Sequence, residues 1–187
     1  MTKEVLLTKK ICMLGDPGVG KTSLVARFVL NSYDDKYIST IGTKVSKKDI
    51  IFEEPDRGLS INVRLMIWDI AGQNSYQFAK VAFLKGSHGA LLVSDTTRTD
   101  TLLNLDGWIE ALEKVTGPVP KVFLANKADL TDLREFGEKE ILEMAKKYNT
   151  SGYLTSCKTG DNVETAFREI ADVFRKEYLT KGELALR

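Results

Sequence analysis

Cysteine and histidine are almost absent from this 187-residue sequence, which has two cysteines and one histidine. Cys12 and Cys157 lie far apart and show no paired spacing, so we predict neither a disulfide scaffold nor a zinc site and expect a reducing compartment. No run of about 18 apolar residues occurs, which argues against a transmembrane helix. The apolar stretch at residues 5–7 is too short for a signal peptide. We therefore expect a cytoplasmic protein.

The sequence also lacks an excess of charge of either sign. Lys and Arg total 27 against 26 Asp and Glu, a net charge of +1, which gives no electrostatic reason to bind nucleic acid or anionic lipid. The first residues lack the glycine that myristoylation needs, and the last residues lack the cysteine that prenylation needs. We expect no nucleic-acid partner and no direct lipid anchor in the sequence as given. Recruitment to a membrane would then depend on partner proteins or on a C-terminal tail missing from this sequence.

Glycine and proline are sparse, at 14 and 4 residues, and 43% of the residues are hydrophobic, as in an ordinary globular chain. We expect a single domain over residues 1–187 and a monomer. Short apolar runs alternate with segments of helical period, which indicates a parallel sheet with helices on both faces. The apolar runs are at 11–14, 63–68, 90–93 and 122–125, and the helical segments are near 24–30, 102–112, 135–148 and 162–178.

Residues 44–69 depart from this alternation. They form two strand-like stretches around a turn at 53–58 that contains Pro55 and Gly58. Two consecutive strands joined by a short turn must run antiparallel, so we predict a hairpin at the edge of the sheet. The sequence shows no internal repeat and no linker that would divide it into domains.

A glycine-rich segment carries the clearest chemical signal. It directly follows a predicted strand at 9–14 and opens a predicted helix, which is the context of a phosphate-binding P-loop. Its glycines let backbone N–H groups surround phosphates, Lys21 reaches the β and γ oxygens, and the Thr22 hydroxyl binds Mg²⁺. The nucleotide-binding residues predicted here are Gly15, Asp16, Pro17, Gly18, Val19, Gly20, Lys21, Thr22 and Ser23.

Two further segments follow predicted strands. Asp69 ends one of them, at the position where a carboxylate holds magnesium through water. Asn126, Lys127 and Asp129 follow the strand at 121–125, where Asp129 can accept hydrogen bonds from the ring N–H and the amine of guanine. Adenine lacks that pair of donors, so the Asp129 carboxylate selects GTP over ATP. Lys127 packs over the base or tethers the P-loop.

The ordered segments 15–23, 37–42, 68–73, 126–129 and 156–158 closely resemble those of the Ras-like small GTPases, with the Rab branch the nearest. The resemblance covers nearly the whole chain and implies a P-loop NTPase fold of the α/β class. That fold is a doubly wound, six-stranded, mostly parallel sheet with one antiparallel edge strand and flanking helices. It also implies binding of GTP or GDP with Mg²⁺ and slow hydrolysis of GTP.

The resemblance assigns roles residue by residue. Thr40 joins Thr22 and Asp69 in holding Mg²⁺ and senses the γ-phosphate, to which Gly72 offers its backbone N–H. Gln73 orients the attacking water and completes a catalytic set with Lys21, Gly72 and Thr40. Base and phosphate contacts are implied for the remaining nucleotide-binding residues, which are Tyr33, Tyr37, Ser156, Cys157 through its N–H, and Lys158.

Several positions depart from the family pattern. Pro17 has no N–H to donate and stands where glycine or serine is common, which points to altered hydrolysis. Residues 41–45 and the long hairpin differ from Rab proteins, so the resemblance does not identify the effector. His88 and Cys12 are interpreted as structural residues, a hydrogen-bonding histidine and a buried apolar thiol.

No arginine finger is apparent in the sequence, so we expect turnover of about 10⁻⁴ to 10⁻³ per second and dependence on a GTPase-activating protein. An exchange factor and an effector complete the expected partners of such a molecular switch, plausibly in membrane traffic or signalling. Two alternatives remain at this stage. A GTP-locked scaffold would not hydrolyse its nucleotide, and an ATP-dependent P-loop kinase would transfer phosphate to a small acceptor.

Overall fold

The computed structural model describes residues 2–33, 43–70 and 78–184, which form one six-stranded sheet flanked by helices. The strand order is β2-β3-β1-β4-β5-β6, and every pairing is parallel except that of β2 with β3. This confirms the predicted doubly wound fold with one antiparallel edge strand. The strands are β1 (Lys3–Leu14), β2 (Thr43–Glu54), β3 (Leu59–Ile70), β4 (Gly89–Asp95), β5 (Lys121–Asn126) and β6 (Gly152–Leu154).

The helices cover both faces of the sheet because each has one apolar side. One buried cluster joins α1 and α6 to one face, with Phe28 and Phe167 stacked at a centroid distance of 4.0 Å. A second cluster joins α4 and α5 to the other face, through residues such as Leu112 and Ile141. The helices are α1 (Lys21–Leu30), α2 (Phe78–Leu84), α3 (Thr99–Leu103), α4 (Leu105–Thr116), α5 (Glu138–Lys147) and α6 (Val163–Leu184).

The edge hairpin has the predicted form. Strands β2 and β3 each have 12 residues and are joined by a 3-10 turn, Pro55–Arg57, followed by Gly58. Gly58 has a φ of 59°, in the left-handed region that glycine adopts without strain. The first part of β1 extends alongside β3, with Lys3 opposite Leu59, so the strand begins six residues earlier than the predicted start at residue 9.

The helix predicted near 102–112 is divided in the structure. Asn104 separates α3 from α4, and α3 begins after Arg98 with no side-chain cap. Thr99 and Thr101 lie inside α3 and neither is its N-cap. Instead, the Thr101 hydroxyl donates to the Arg98 carbonyl at 2.7 Å and accepts from the Asp95 N–H at 2.9 Å. The sequence pattern also missed α2 and the three-residue β6.

The carboxyl ends of β1, β4 and β5 lie at one edge of the sheet, where open α/β sheets bind ligands. The loops that follow these strands contain the P-loop and residues 126–129, so the fold brings these two predicted segments together. Among the residues that the structure describes, no helix is long and apolar enough to cross a bilayer.

Candidate functional site

The glycines of the P-loop let its backbone lie directly against the neighbouring strands. Gly15 has a φ of 141°, and a Cβ there would lie 2.1 Å from the Val93 carbonyl oxygen. Gly20 has a φ of 99°, and a Cβ there would lie 2.2 Å from the Asn126 amide nitrogen. Both positions therefore require glycine. Helix α1 begins immediately afterwards at Lys21, so its first N–H groups face the hollow of the loop.

Lys21 places its ammonium group inside this loop. The buried side chain donates from Nζ to the carbonyl oxygens of Gly15 at 2.7 Å and Asp16 at 2.9 Å. Burial lowers the pKa of Lys21 to about 8, although the charges of Asp69 and Asp16 oppose this shift. The arrangement supplies a positive charge at the predicted position of the nucleotide phosphates.

Asp69 and Thr22 form a pair of oxygen groups beside the loop. The Thr22 hydroxyl donates to Asp69 Oδ2 at 2.5 Å. The Asp69 side chain is 1% exposed, and its Oδ1 has no hydrogen-bond partner within the described part of the chain. Burial raises the pKa of this carboxyl group, even though Thr22 and Lys21 oppose that change. A buried carboxylate oxygen without a partner, beside a hydroxyl, fits the oxygen ligands that Mg²⁺ prefers.

Asn126 joins the P-loop to the segment at 156–158. Its amide nitrogen donates to the Val19 carbonyl at 2.9 Å, and its amide oxygen accepts from the Cys157 N–H at 3.3 Å. The side chain is fully buried, so these bonds hold both loops against the end of β5. The predicted contact of the Cys157 N–H with guanine stays a prediction, because in this structure that N–H faces Asn126.

Asp129 is oriented by its neighbour across the site. The Ser156 hydroxyl donates to Asp129 Oδ1 at 2.6 Å, and Ser156 itself is buried. The Thr159 N–H donates to the same hydroxyl at 3.1 Å. A carboxylate held in this way keeps one orientation, as a group that recognises a base must.

Lys127 has a partner that its sequence position did not suggest, and its predicted packing over the base stays a prediction. It has a φ of 64°, in the left-handed region, and its Nζ lies 2.6 Å from Asp95 Oδ2. It therefore binds the end of β4, and no direct hydrogen bond from its ammonium to the P-loop is found in the described residues. Burial alone would raise the pKa of Asp95, but hydrogen bonds from Lys127 and Thr97 outweigh it and lower that pKa.

Arg27 is a functional candidate that sequence reasoning missed. From α1, its Nε donates to the Cys157 carbonyl at 2.7 Å and its Nη2 to the Lys158 carbonyl at 2.6 Å. Its guanidinium also lies 5.9 Å from the centre of the Tyr33 ring, which is partly exposed. These hydrogen bonds from α1 hold the loop at 156–158 in place. The sequence did not reveal them, because Arg27 and this loop are about 130 residues apart.

Three more side chains, which the sequence did not reveal as partners, donate hydrogen bonds to the P-loop. Asp16 accepts hydrogen bonds from Asn104 Nδ2 at 2.7 Å and from Trp108 Nε1 at 2.9 Å. Arg98 donates to the Pro17 carbonyl at 2.9 Å. Trp108 belongs to the buried apolar side of α4, and its indole N–H gives it this additional polar role.

Four predicted residues, Tyr37, Thr40, Gly72 and Gln73, lie outside the described residues, so their roles stay predictions. His88 lies away from the site and exchanges backbone contacts with Lys10. The Lys10 N–H donates to His88 Nδ1 at 3.0 Å, and the His88 N–H donates to the Lys10 carbonyl at 2.8 Å. These bonds support the interpretation of His88 as a structural residue.

A sequence model of the Ras family matches residues 10–176, which include the P-loop, Asp69 and the segments at 126–129 and 156–158. The chain belongs to the Ras family. It is therefore a GTP hydrolase, and the resemblance stated from the sequence motifs is confirmed. The family match also spans every strand of the sheet except the first residues of β1.

Individual relatives within this family are Rab proteins. The chain is 34% identical over 174 residues to Ras-related protein Rab-27B of Rattus norvegicus, which covers 89% of this chain and 79% of that protein. It is 34% identical to Ras-related protein Rab-18-B of Danio rerio, over 92% of this chain and 82% of that protein. It is 36% identical to Ras-related protein RABA1h of Arabidopsis thaliana, over 86% of this chain and 72% of that protein.

Proposed function

We propose that this Ras-family protein is a magnesium-dependent guanine-nucleotide switch built as a single domain. The observation that carries the proposal is the placement of Lys21 and Asp129 at one edge of the sheet. Asn126 joins their two loops through its bonds to Val19 and Cys157. A cation for phosphates and a fixed carboxylate for a base are the two groups that a guanine nucleotide needs.

Base selection rests on the Asp129 carboxylate. The guanine ring N–H and amine both donate, and the carboxylate accepts from both. Ser156 holds the carboxylate in place through Oδ1. An adenine base would leave the carboxylate without those donors, and an unpaired buried acceptor loses binding free energy. Arg27 supports the same pocket by fixing the carbonyls of Cys157 and Lys158.

Magnesium fits beside Thr22 and Asp69, with Thr40 as the third proposed group. When bound, the ion neutralises negative charge on the β- and γ-phosphates. Thr22 supplies a hydroxyl, and Asp69 supplies the buried carboxylate whose Oδ1 has no partner in the described chain. Lys21 adds a positive charge inside the P-loop, where its Nζ donates to the Gly15 and Asp16 carbonyls.

Hydrolysis requires an oriented water and stabilisation of charge on the transferred phosphoryl group. We propose that Gln73 orients the attacking water. Lys21 and the N–H groups of the P-loop and of Gly72 would stabilise the charge on the phosphoryl group. Of the nucleotide phosphates, Thr40 and Gly72 would contact the γ-phosphate alone, so both of these contacts end when GTP becomes GDP. That loss changes the surface offered to effectors.

The protein partners proposed for this switch are an activating protein, an exchange factor and effectors. Slow intrinsic turnover, of about 10⁻⁴ to 10⁻³ per second, is the reason for an activating protein, whose acceleration is about 10⁵-fold in related systems. The similarity to Rab proteins favours a place in membrane traffic or signalling. Pro17 favours the alternative of a GTP-locked scaffold, because a stiff residue in the P-loop can hinder rearrangement during hydrolysis.

Magnesium dependence tests this proposal. Chelation with EDTA is expected to accelerate release of fluorescent GDP from the wild type by at least about tenfold, and by less than about threefold from Asp69→Asn. The reason is that the variant loses the carboxylate charge that helps to hold the ion. The measurement is stopped-flow fluorescence, with Asp49→Asn on the exposed hairpin as the matched control. An Asp69→Asn response equal to that of the wild type would remove Asp69 from the ion site.

Gln73→Leu tests the hydrolytic role separately from binding. We expect hydrolysis to slow by about ten to a hundredfold, because the attacking water loses its orienting partner. GDP release should stay within about twofold of the wild type, since the assigned role of Gln73 is in the reaction. Single-turnover conversion of GTP measures the first quantity, and Gln77→Leu serves as the control. Equal hydrolysis rates in Gln73→Leu and the wild type would exclude this assignment.

A further inference from the structure

Arg98 holds the P-loop at the one position where the backbone cannot donate. It follows β4 and precedes α3, and its Nη2 donates to the Pro17 carbonyl at 2.9 Å. Because proline has no N–H, that carbonyl is the only backbone hydrogen-bonding group Pro17 has. The hydrogen bond to this carbonyl therefore comes from a side chain 81 residues away in the sequence.

Behind Arg98 lies a buried carboxylate that also binds the base-recognition segment. Arg98 Nε donates to Asp95 Oδ2 at 3.3 Å, and Lys127 Nζ lies 2.6 Å from the same oxygen. Asp95 Oδ1 accepts from the Thr97 N–H at 3.0 Å and from the Thr97 hydroxyl at 2.7 Å. The Asp95 side chain is 1% exposed, whereas those of Arg98 and Lys127 are 40% and 32% exposed, so two partly exposed cations share one buried anion.

The neighbouring residue of the P-loop, Asp16, is also bound by side chains from the segment that begins at Arg98. Asn104 and Trp108 donate to the two carboxylate oxygens of Asp16, the residue before Pro17. Two consecutive P-loop residues are thus bound to the segment from Arg98 to Trp108. The acceptors in these bonds are the Asp16 carboxylate and the Pro17 carbonyl, whereas the proposed phosphate site uses backbone N–H groups and Lys21.

We propose that Arg98 is a positioning residue that clamps the P-loop through Pro17 and, through Asp95, links it to Lys127 of the base-recognition segment. The inference rests on the proposed function, because it concerns retention of the same nucleotide. A loop that is already held in shape loses less conformational freedom when it binds phosphates, so the bound nucleotide leaves more slowly. The planar guanidinium can bind Pro17 and Asp95 at once, which a lysine ammonium does less well.

The test compares Arg98→Ala and Arg98→Lys with the wild type and with Arg168→Ala, whose side chain pairs with Glu164 on α6. Release of fluorescent GDP is followed by stopped flow in the presence of magnesium. We expect release to be about tenfold faster for Arg98→Ala, about threefold faster for Arg98→Lys and unchanged for Arg168→Ala. The ³¹P resonance of the β-phosphate of bound GDP should shift in Arg98→Ala, because the P-loop surrounds that group.

Each outcome decides the matter. Wild-type release from Arg98→Ala would overturn the inference, as would faster release with an unchanged β-phosphate resonance, which would place the effect outside the P-loop. If circular dichroism shows that Arg98→Ala does not fold, GDP release from Arg98→Lys is measured in its place. Release about threefold faster than from the wild type is then expected, and an unchanged rate would overturn the inference. If the wild type itself does not retain GDP, the proposed function fails and this inference fails with it.

Discussion

Asp129→Ala is expected to remove the preference of the protein for guanine over adenine nucleotides. The wild-type carboxylate accepts two hydrogen bonds from guanine in our proposal, and each bond to a charged group contributes about 1.5 to 3 kcal/mol. Their loss corresponds to a fall in GDP affinity of about 10² to 10⁴-fold, with ADP affinity little changed. Competition of GDP and ADP against a fluorescent nucleotide measures both quantities.

The control for this experiment is Asp132→Ala, which removes a nearby exposed carboxylate in the 3-10 turn Thr131–Leu133. It should leave the selectivity of the wild type intact. Ser156→Ala should give a smaller effect than Asp129→Ala, because Ser156 orients the carboxylate and the carboxylate itself remains. Unchanged guanine selectivity in Asp129→Ala would show that another group recognises the base.

Lys21→Met is expected to lower GDP affinity by about a thousandfold, from loss of charge-assisted hydrogen bonds to the phosphates. The nucleotide-free variant should be at least as resistant to thermal unfolding as the wild type. Burial lowers the pKa of Lys21 to about 8, which means that the fold disfavours the charged form, and methionine removes that cost while keeping a long apolar chain. Titration calorimetry and thermal unfolding measure the two effects.

Lys114→Met is the matched control, because Lys114 is a lysine of α4 whose side chain is 72% exposed and pairs with Glu110. It should change neither GDP affinity nor thermal unfolding appreciably. A Lys21→Met protein that bound GDP normally would contradict the phosphate site. A large fall in its unfolding temperature without nucleotide would instead show that the Lys21 bonds to the loop carbonyls stabilise the fold.

The sequence predicted those parts of the molecule whose signal is local. The glycines and Lys21 of the P-loop lie within eight residues, so the motif can be identified from the sequence alone. The structure explains the glycines, since a Cβ on Gly15 or Gly20 would overlap a neighbouring strand or side chain. The sheet was predicted because buried strands such as β4, all of whose residues are buried, appear as short apolar runs. The family resemblance implied the six strands, and the turn around Pro55 indicated the antiparallel hairpin, whereas the order of the strands came from the structure.

The contacts that the sequence did not reveal join residues far apart along the chain. Arg27 binds carbonyls about 130 residues away, and Arg98 binds Pro17 from 81 residues away. A side chain that donates to a backbone carbonyl leaves no spacing pattern, because any residue can supply the acceptor. The ion pair of Lys127 with Asp95 was also missed, because Asp95 ends β4 whereas Lys127 follows β5. Helix α2 and strand β6 were missed because seven and three residues are too few to show a period.

Single-turnover hydrolysis tests the central claim most directly. Protein loaded with GTP and Mg²⁺ would be incubated without free nucleotide, and bound GTP and GDP would be separated by ion-exchange chromatography over time. The proposed switch predicts conversion to GDP at about 10⁻⁴ to 10⁻³ per second. Bound GTP that persisted for days would contradict the timed switch and favour a GTP-stabilised scaffold.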